Sequence, residues 1–536
     1  MSATPRPPEG GAPLPRGVER SEEGRPMSVT TPHPRQKPGV VSNRRVPTTP
    51  HPVSDATESA DWAGKELYST LRLLAVPALF VLSIVVFKLH PGKIGLYGFA
   101  LIFGVLLLVQ LRKGPEPLLA LVAIYYPLSK LYPFLVAPGV NGTNLLELFL
   151  IAFWMIHSFK NRRKLFNPYP FTRLVGLWFL FSVISVFTAI LHIGLHNFIW
   201  NYLLSVRGFF DQFIIFFLLV NLIQDKNMAR RLIVYMMFSA TVVFLYGIQE
   251  WWFSRGASSI EKSRLLGPIG QPNEFAAQTI YALAPILAYG AYYFPKWKSW
   301  RMAPILLIGL RVLLAAFSRG AYLAFAMELF TLSFVKSKKF FVLVLLVIGS
   351  IYFFIPSLVP NSMKARVDQT YQDRAPGSTI DKSADSRFLL WDAAIEMTKE
   401  SPIFGKGFDQ FHSLVPSYVP GFYDGSTGGA TDNQNMFLYA ASTMGLPSLI
   451  TLLLILGALA LRGWGLYRTG TVDIDRIIGL GGITLVAGLV GVNMFGTHVI
   501  DTAVDIYLWI YIAAIAHLIR PRNAALSPYK PHAKPR

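Results

Sequence analysis

Residues 302–335 read MAPILLIGLRVLLAAFSRGAYLAFAMELFTLSFV, two apolar runs, 302–317 and 320–335, parted by the polar pair Ser318-Arg319. Neither run has enough polar residues to keep one face in water. Each is therefore read as a helix in lipid, with Ser318-Arg319 as the tight turn between them. Arg311 lies mid-run in the first helix and Glu328 at similar depth in the second, so a buried structural ion pair is expected there.

Outward from this hairpin the same pattern recurs near 71–87, 94–111, 117–136, 144–158, 172–193, 207–223, 231–252, 274–295, 340–357, 434–461, 477–496 and 500–519. The expected fold is an all-α polytopic transmembrane bundle of about 12–14 helices, some of them tilted or re-entrant because their runs fall short of the ~20 residues that cross a bilayer. The chain is 52% hydrophobic and only 15% charged, well below the charge content of soluble domains, which makes lipid its main solvent. It has no cysteine, so disulfides, thiolate catalysis and Cys-based metal sites are excluded.

The formal net charge is +20 over 536 residues, of which residues 1–70 supply nine Lys/Arg and eight Asp/Glu. The excess therefore lies among the apolar runs, in short clusters: Arg112-Lys113, Lys160 with Arg162-Arg163-Lys164, Lys226 with Arg230-Arg231, Lys296 with Lys298 and Arg301, and Lys336 with Lys338-Lys339. Short basic loops between spans mark the cytoplasmic side, and they form no single stripe of the kind that binds nucleic acid. With both termini in the cytoplasm, all these clusters, with Arg462, Arg468, Arg476 and Arg520, fall inside. The segments 194–206, 251–273, the Ser318-Arg319 turn and 359–432 then fall outside. The expected organisation is a disordered Pro-rich cytoplasmic tail (1–65), spans (66–358), a large periplasmic loop (359–432), further spans (433–520) and a short cytoplasmic tail (521–536).

Within the outer loop, Arg387 to Glu400 sets Phe388, Trp391, Ile395 and Thr398 along one side, which predicts an amphipathic helix on the bilayer surface. Pro402 ends it, and Gly405 and Gly407 turn the chain toward His412. A structural lid is an equally good account of this pattern. Arg207, Arg264, Arg319 and Arg387 all fall at or near the outer face, where planar guanidinium forks suit the oxygens of a pyrophosphate. For any one of them, snorkelling to the interface is the plainer explanation. The outer aromatics Trp200, Tyr202, Trp251, Trp252, Tyr418, Phe422 and Tyr423 could stack on sugars but more often form an interfacial belt. Glu147, Asp501 and Asp505 lie in or beside apolar runs and raise the rival class of an ion-coupled transporter.

Three stretches, spanning roughly 200–460, resemble the membrane domain of the O-antigen ligase/polymerase family. Arg264-Leu-Leu-Gly-Pro-Ile-Gly-Gln-Pro-Asn273-Glu-Phe275-Ala276 is similar to a family loop ending in Pro-Asn-x-Phe-Ala. Phe317-Ser318-Arg319-Gly320-Ala321 resembles its Ser-Arg-Gly-Ala turn. The run from Ser386-Arg387 through Trp391, Pro402-Ile-Phe-Gly405-Lys-Gly407-Phe408 and Phe411 to Asp432-Asn433-Gln434-Asn435 and Gly445 resembles its large periplasmic loop and the helix after it.

The resemblance implies a multi-spanning glycosyltransferase of the GT-C-like type in the bacterial inner membrane. It would join a glycan carried on undecaprenyl pyrophosphate to an acceptor hydroxyl at the periplasmic face, with neither a nucleotide sugar nor a metal. It implies that Arg319 and Arg207, with Arg264 and Arg387, hold the pyrophosphate. It also implies that Asn273, Ser318, Trp391 and Asn435 belong to acceptor or structural motifs. Other polysaccharide-assembly proteins, such as a flippase or a chain-length regulator, are implied partners. Ligases of the family carry His-Asn where this chain has Gln434-Asn435, and an amide cannot take a proton from a hydroxyl. Either Asp432 or His412 serves as base, or Gln434 only orients the acceptor and the base lies elsewhere. The missing histidine favours a polysaccharide polymerase over a ligase that delivers glycan to lipid A–core. A flippase is the alternative of another class, disfavoured because no inverted repeat is visible and the cations gather at one face.

Overall fold

The computed structural model describes residues 114–131, 141–161, 165, 167–254, 263–354, 382–420 and 433–519. The expected tails, the first two apolar runs, Arg112-Lys113, Arg162 to Lys164, Arg520, Phe422, Tyr423 and Asp432 lie outside the described residues. Every regular element among those described is a helix: α1 Glu116–Tyr125, continued by a 3-10 turn to Leu128, α2 Gly142–Lys160, α3 Thr172–Ile193, α4 Leu195–Leu222, α5 Lys226–Ser254, α6 Pro272–Tyr293, α7 Ala303–Ala315, α8 Arg319–Lys336, α9 Lys338–Phe354, α10 Lys382–Glu400, α11 Phe411–Tyr418, α12 Met436–Met444, α13 Leu446–Thr469, α14 Asp473–Asn493 and α15 Thr502–Leu518. Six of them, α2, α3, α4, α5, α13 and α14, are long and apolar enough to cross a membrane.

Polar side chains set the helix starts. Asn141 caps α2, Gln271 caps α6 with Pro272 at the first helical position, Asn435 caps α12 and Asp501 caps α15, each accepting from a backbone N–H in the first turn. The core is built around α15, every residue of which is buried, against α4, α5 and α6. Beside it, α14 packs on α13, α8 and α6. Glycines let it come close: a Cβ on Gly491 would lie 2.6 Å from the Ala324 Cα of α8, and one on Gly479 would lie 2.5 Å from the Gly463 carbonyl of α13. Without a hydrophobic drive between helices in lipid, close packing of small residues is what binds them.

The two ends of the bundle differ. At one end Arg230 grips Asp475 through two bonds of 2.8 and 2.9 Å, Arg231 pairs with Glu116, Lys336 donates to the Tyr292 carbonyl at 2.7 Å, and Tyr292 donates to Asp473 at 2.8 Å. The basic clusters on either side of α6, α8 and α14 thus gather at one end, partly held in ion pairs. The Ser318-Arg319 turn, the start of α6 and the end of α14 lie at the other.

Three expectations need correction. Residues 194–206, expected as an outer loop, are helical: Gly194 (φ +80°) only separates α3 from α4, and Arg207 sits within α4 instead of opening it. The run 434–461 is two helices, broken at Gly445 (φ +85°), where a Cβ would meet the Ile403 carbonyl at 2.1 Å. In the predicted span over 117–136 the helix from Glu116 ends at Leu128 and residues 129–131 form a turn, while 132–136 lie outside the described residues. In α10, Leu390, Ala393, Ala394 and Met397 are buried against the protein, while Phe388 and Ile395 of the row expected to face the bilayer stay exposed. The helix packs on α12, and the small Ala393–Ala394 pair suits that close approach better than the bulkier row.

The Arg311–Glu328 pair does not form. Arg311 lies over the Trp251 ring, 4.1 Å from its centre, a cation–π arrangement that keeps the guanidinium near the bundle surface. Glu328 is fully buried on α8, facing Gly488 of α14, with neither carboxyl oxygen hydrogen-bonded among the described residues.

Candidate active site: an arginine-lined cavity

A cavity of about 70 Å³ opens at the end of the bundle away from the basic clusters, lined by Arg264, Asn273, Phe317, Ser318, Arg319, Gly320, Ala321, Arg387, Val492, Phe495 and His498. Three guanidiniums meet there, and none of the described lining residues is acidic. Such a wall holds anions in a low-dielectric setting, where charge–charge attraction is much stronger than in water.

Each arginine is brought in by a different element. Arg319 is the first residue of α8, placed by a sharp turn in which Phe317 takes a left-handed backbone (φ +49°) and Ser318 is extended. Gly320 follows because the loop after α14 crosses here: a Cβ would lie 2.8 Å from the Phe495 Cβ. Arg264 sits in the loop before α6 and is tightly oriented, its Nη2 donating to Asn273 Oδ1 at 2.8 Å and its Nε to the Ala316 carbonyl at 3.2 Å. Glu250 of α5 pins the same loop by accepting from the Leu266 and Gly267 amides, both at 2.8 Å. Arg387 comes from α10 and donates through Nε to Gln434 Oε1 at 2.6 Å.

That last bond ties in the third motif. Gln434 takes a left-handed backbone (φ +51°), Trp391 Nε1 donates to the Asn433 carbonyl at 3.0 Å, and Asn435 Oδ1 accepts from the Phe437 and Leu438 amides at 3.0 and 3.1 Å. Asn435 is therefore a helix cap, and Gln434 positions Arg387 with its carbonyl oxygen. The strap 402–408 closes over the α12–α13 break through Lys406 N to the Ser442 carbonyl (2.8 Å) and Leu446 N to the Pro402 carbonyl (2.8 Å).

Arg264, Arg319, Arg387, Asn273 and Ser318, all singled out in the sequence, thus share one cavity wall, with Gln434, Trp391 and Asn435 bonded just behind it. Arg207 does not line it. It donates to Asn144 and, at 3.3 Å, to Asp211, in a separate cluster where Tyr126 donates to Glu147 at 2.8 Å. His412 lies on the exposed side of α11, and it too is absent from the wall. The transporter candidates do not converge either: Asp501 pairs with Lys130 at the start of α15, and Asp505 is buried one turn further in, accepting from Trp509 Nε1 at 3.1 Å.

Sequence reasoning missed His498. It falls in the three-residue interval between the last two apolar runs, 477–496 and 500–519. Its only signal was a histidine beside Gly496 in an outer turn.

Among known proteins, residues 304–453 match the family model described as O-antigen ligase, which supports an O-antigen ligase-related family. The matched stretch contains Ser318, Arg319, Arg387, Trp391, Gln434 and Asn435; Arg264, Asn273 and His498 lie outside it. No curated protein matches the chain.

Proposed function

We propose that this chain, with its O-antigen ligase-related stretch at residues 304–453, is an inner-membrane polysaccharide polymerase. It moves a growing glycan from undecaprenyl pyrophosphate onto the next lipid-linked repeat unit at the periplasmic face. The observation that carries this reading is the convergence of Arg264, Arg319 and Arg387 on one cavity wall. When the anomeric carbon–oxygen bond breaks, negative charge grows on the departing pyrophosphate. Cations already fixed in place stabilise that charge without reorganising. Arg264 and Arg387 are held by Asn273 and Gln434, so their forks are pre-oriented toward phosphate oxygens. In this reading the periplasmic side is the cavity end, because the basic clusters that mark a cytoplasmic side gather at the other.

Gln434 in place of the ligase histidine supports polymerase over ligase. The test is purified full-length protein in detergent with undecaprenyl-pyrophosphate-linked repeat unit as the only substrate. A ladder of longer lipid-linked glycans is expected. No ladder, but transfer once lipid A–core is added, would make the chain a ligase. Failure with both acceptors, from a folded protein, would remove the transferase reading.

A further inference from the structure

We propose that His498 is the base that takes the acceptor hydroxyl's proton in this cavity, an inference that rests on the transferase reading. His498 is 6% exposed and lines the same wall as the three arginines. Its backbone N–H donates to Asn493 Oδ1 at 2.9 Å, which fixes the loop, and its ring makes no hydrogen bond to any described residue. An imidazole that faces the cavity and is engaged by no described residue can accept a proton from what the cavity holds. Of the other lining side chains, guanidiniums stay protonated, while Asn273 and Ser318 are not bases near neutral pH.

The chain makes room for this ring. A Cβ on Gly496 would lie 2.1 Å from His498 Nε2, so only glycine there leaves the imidazole where it is. The Gly496 carbonyl accepts from the Met436 amide at 3.0 Å, which couples the histidine loop to the segment carrying Gln434 and Asn435.

The charged groups around His498 are Arg264, Arg319 and Arg387 on the wall and Asp501 three residues on. Burial pushes its pKa down to about 4, with Asp501 opposing, so the ring is neutral and able to accept at physiological pH. In the step, the acceptor O–H gives its proton to the imidazole and its oxygen bonds the anomeric carbon. The bond from that carbon to the pyrophosphate oxygen breaks, and its electron pair leaves on the pyrophosphate toward the arginines. The growing negative charge then stabilises the imidazolium that has just formed, so a base of low resting pKa is strengthened at the moment it is needed.

The experiment compares wild type, His498→Gln, His498→Gly and Gly496→Ala in the purified system, using the lipid-linked repeat unit for turnover and inorganic pyrophosphate for binding. The expected result is a loss of about 100-fold or more in kcat for all three variants, with pyrophosphate binding within about threefold of wild type. Added imidazole should restore part of the turnover of His498→Gly alone. Wild-type kcat/KM should hold from pH 8 down to about 5 and fall below it. A His498→Gln enzyme with more than a tenth of wild-type turnover, the absence of imidazole rescue, or an acid limb at pH 6 or above would each overturn the assignment. If wild type itself is inactive with both acceptors, the transferase reading fails and this proposal goes with it. An active wild type with an active His498→Gln variant removes only the base.

Discussion

Arg319 and Glu328 lie on one helix, about two and a half turns apart, and show what a charge in an apolar helix can be for. Arg319 stands at the end, where a sharp turn delivers it to a cavity shared with Arg264 and Arg387. Arg319→Ala should reduce transfer by about 100-fold or more while leaving the protein folded in the membrane. Lipid-linked product measured per folded molecule is the check, and near-wild-type transfer would dismiss the pyrophosphate role. Glu328 is fully buried and its carboxyl has no hydrogen-bond partner among the described residues. Because an unsatisfied buried polar group costs about 1–3 kcal/mol, Glu328→Met should raise the melting temperature in detergent. A lower one would mean that the carboxyl holds something in place. The two residues look alike in the sequence, charges interrupting an apolar run, and only their surroundings separate them. The same holds for Arg207 and Arg387: both were chosen for position near the outer face, yet one is bound up with Asn144 and Asp211 and the other reaches the cavity.

Among the elements, α14 matters most to the site because it carries the loop of Phe495 and His498 and lies against α8, which carries Arg319. Gly491 sets that spacing, and the atom its Cβ would strike is backbone, Ala324 Cα at 2.6 Å, which cannot swing aside. Gly491→Ala should therefore destabilise the protein by about 1–3 kcal/mol. It should also lower transfer, since it forces apart the two helices that frame the cavity. Thermal melting together with turnover tests this: an unaltered melting temperature would mean that the helices separate at no cost. The docking of α10 teaches a related lesson. Its row at 388, 391, 395 and 398 is the one expected to face the bilayer, and the helix docks on the protein through another, Leu390, Ala393, Ala394 and Met397. Which row a short helix buries depends on the surface offered by α12, and hydrophobicity along one sequence does not contain that surface.

The whole molecule has a polar asymmetry that can be tested for direction. Basic residues gather at one end and the arginine cavity opens at the other. Since the chain has no cysteine, single cysteines report sidedness directly. Ser417→Cys, exposed on α11 near the cavity end, should react with a membrane-impermeant maleimide added to the periplasmic side of intact cells. Thr469→Cys, exposed at the far end of α13, should react only after the membrane is opened. The reverse pattern would invert the topology and place the cavity in the cytoplasm, where the proposed reaction does not belong.

Most of the described helices were legible in the sequence, α3 to the residue, because a chain in lipid must satisfy its backbone hydrogen bonds within each segment and so writes each span as a continuous apolar run. The three arginines were legible too, since charge at or near the end of such a run is rare enough to stand out, while Asn273 and Ser318 were legible only through the motifs that resemble the O-antigen ligase/polymerase family. The sequence by itself therefore determined a helical membrane bundle, the end where its short basic loops gather and most of one cavity wall. Only the tertiary structure decided which charges share a cavity, that Arg311 stacks on Trp251 instead of pairing with Glu328, and that His498 faces the arginines. Those outcomes depend on the lateral packing of helices far apart in the chain. That packing is set by where glycines allow backbones to meet, and hydrophobic periodicity along a single helix carries no record of its neighbours.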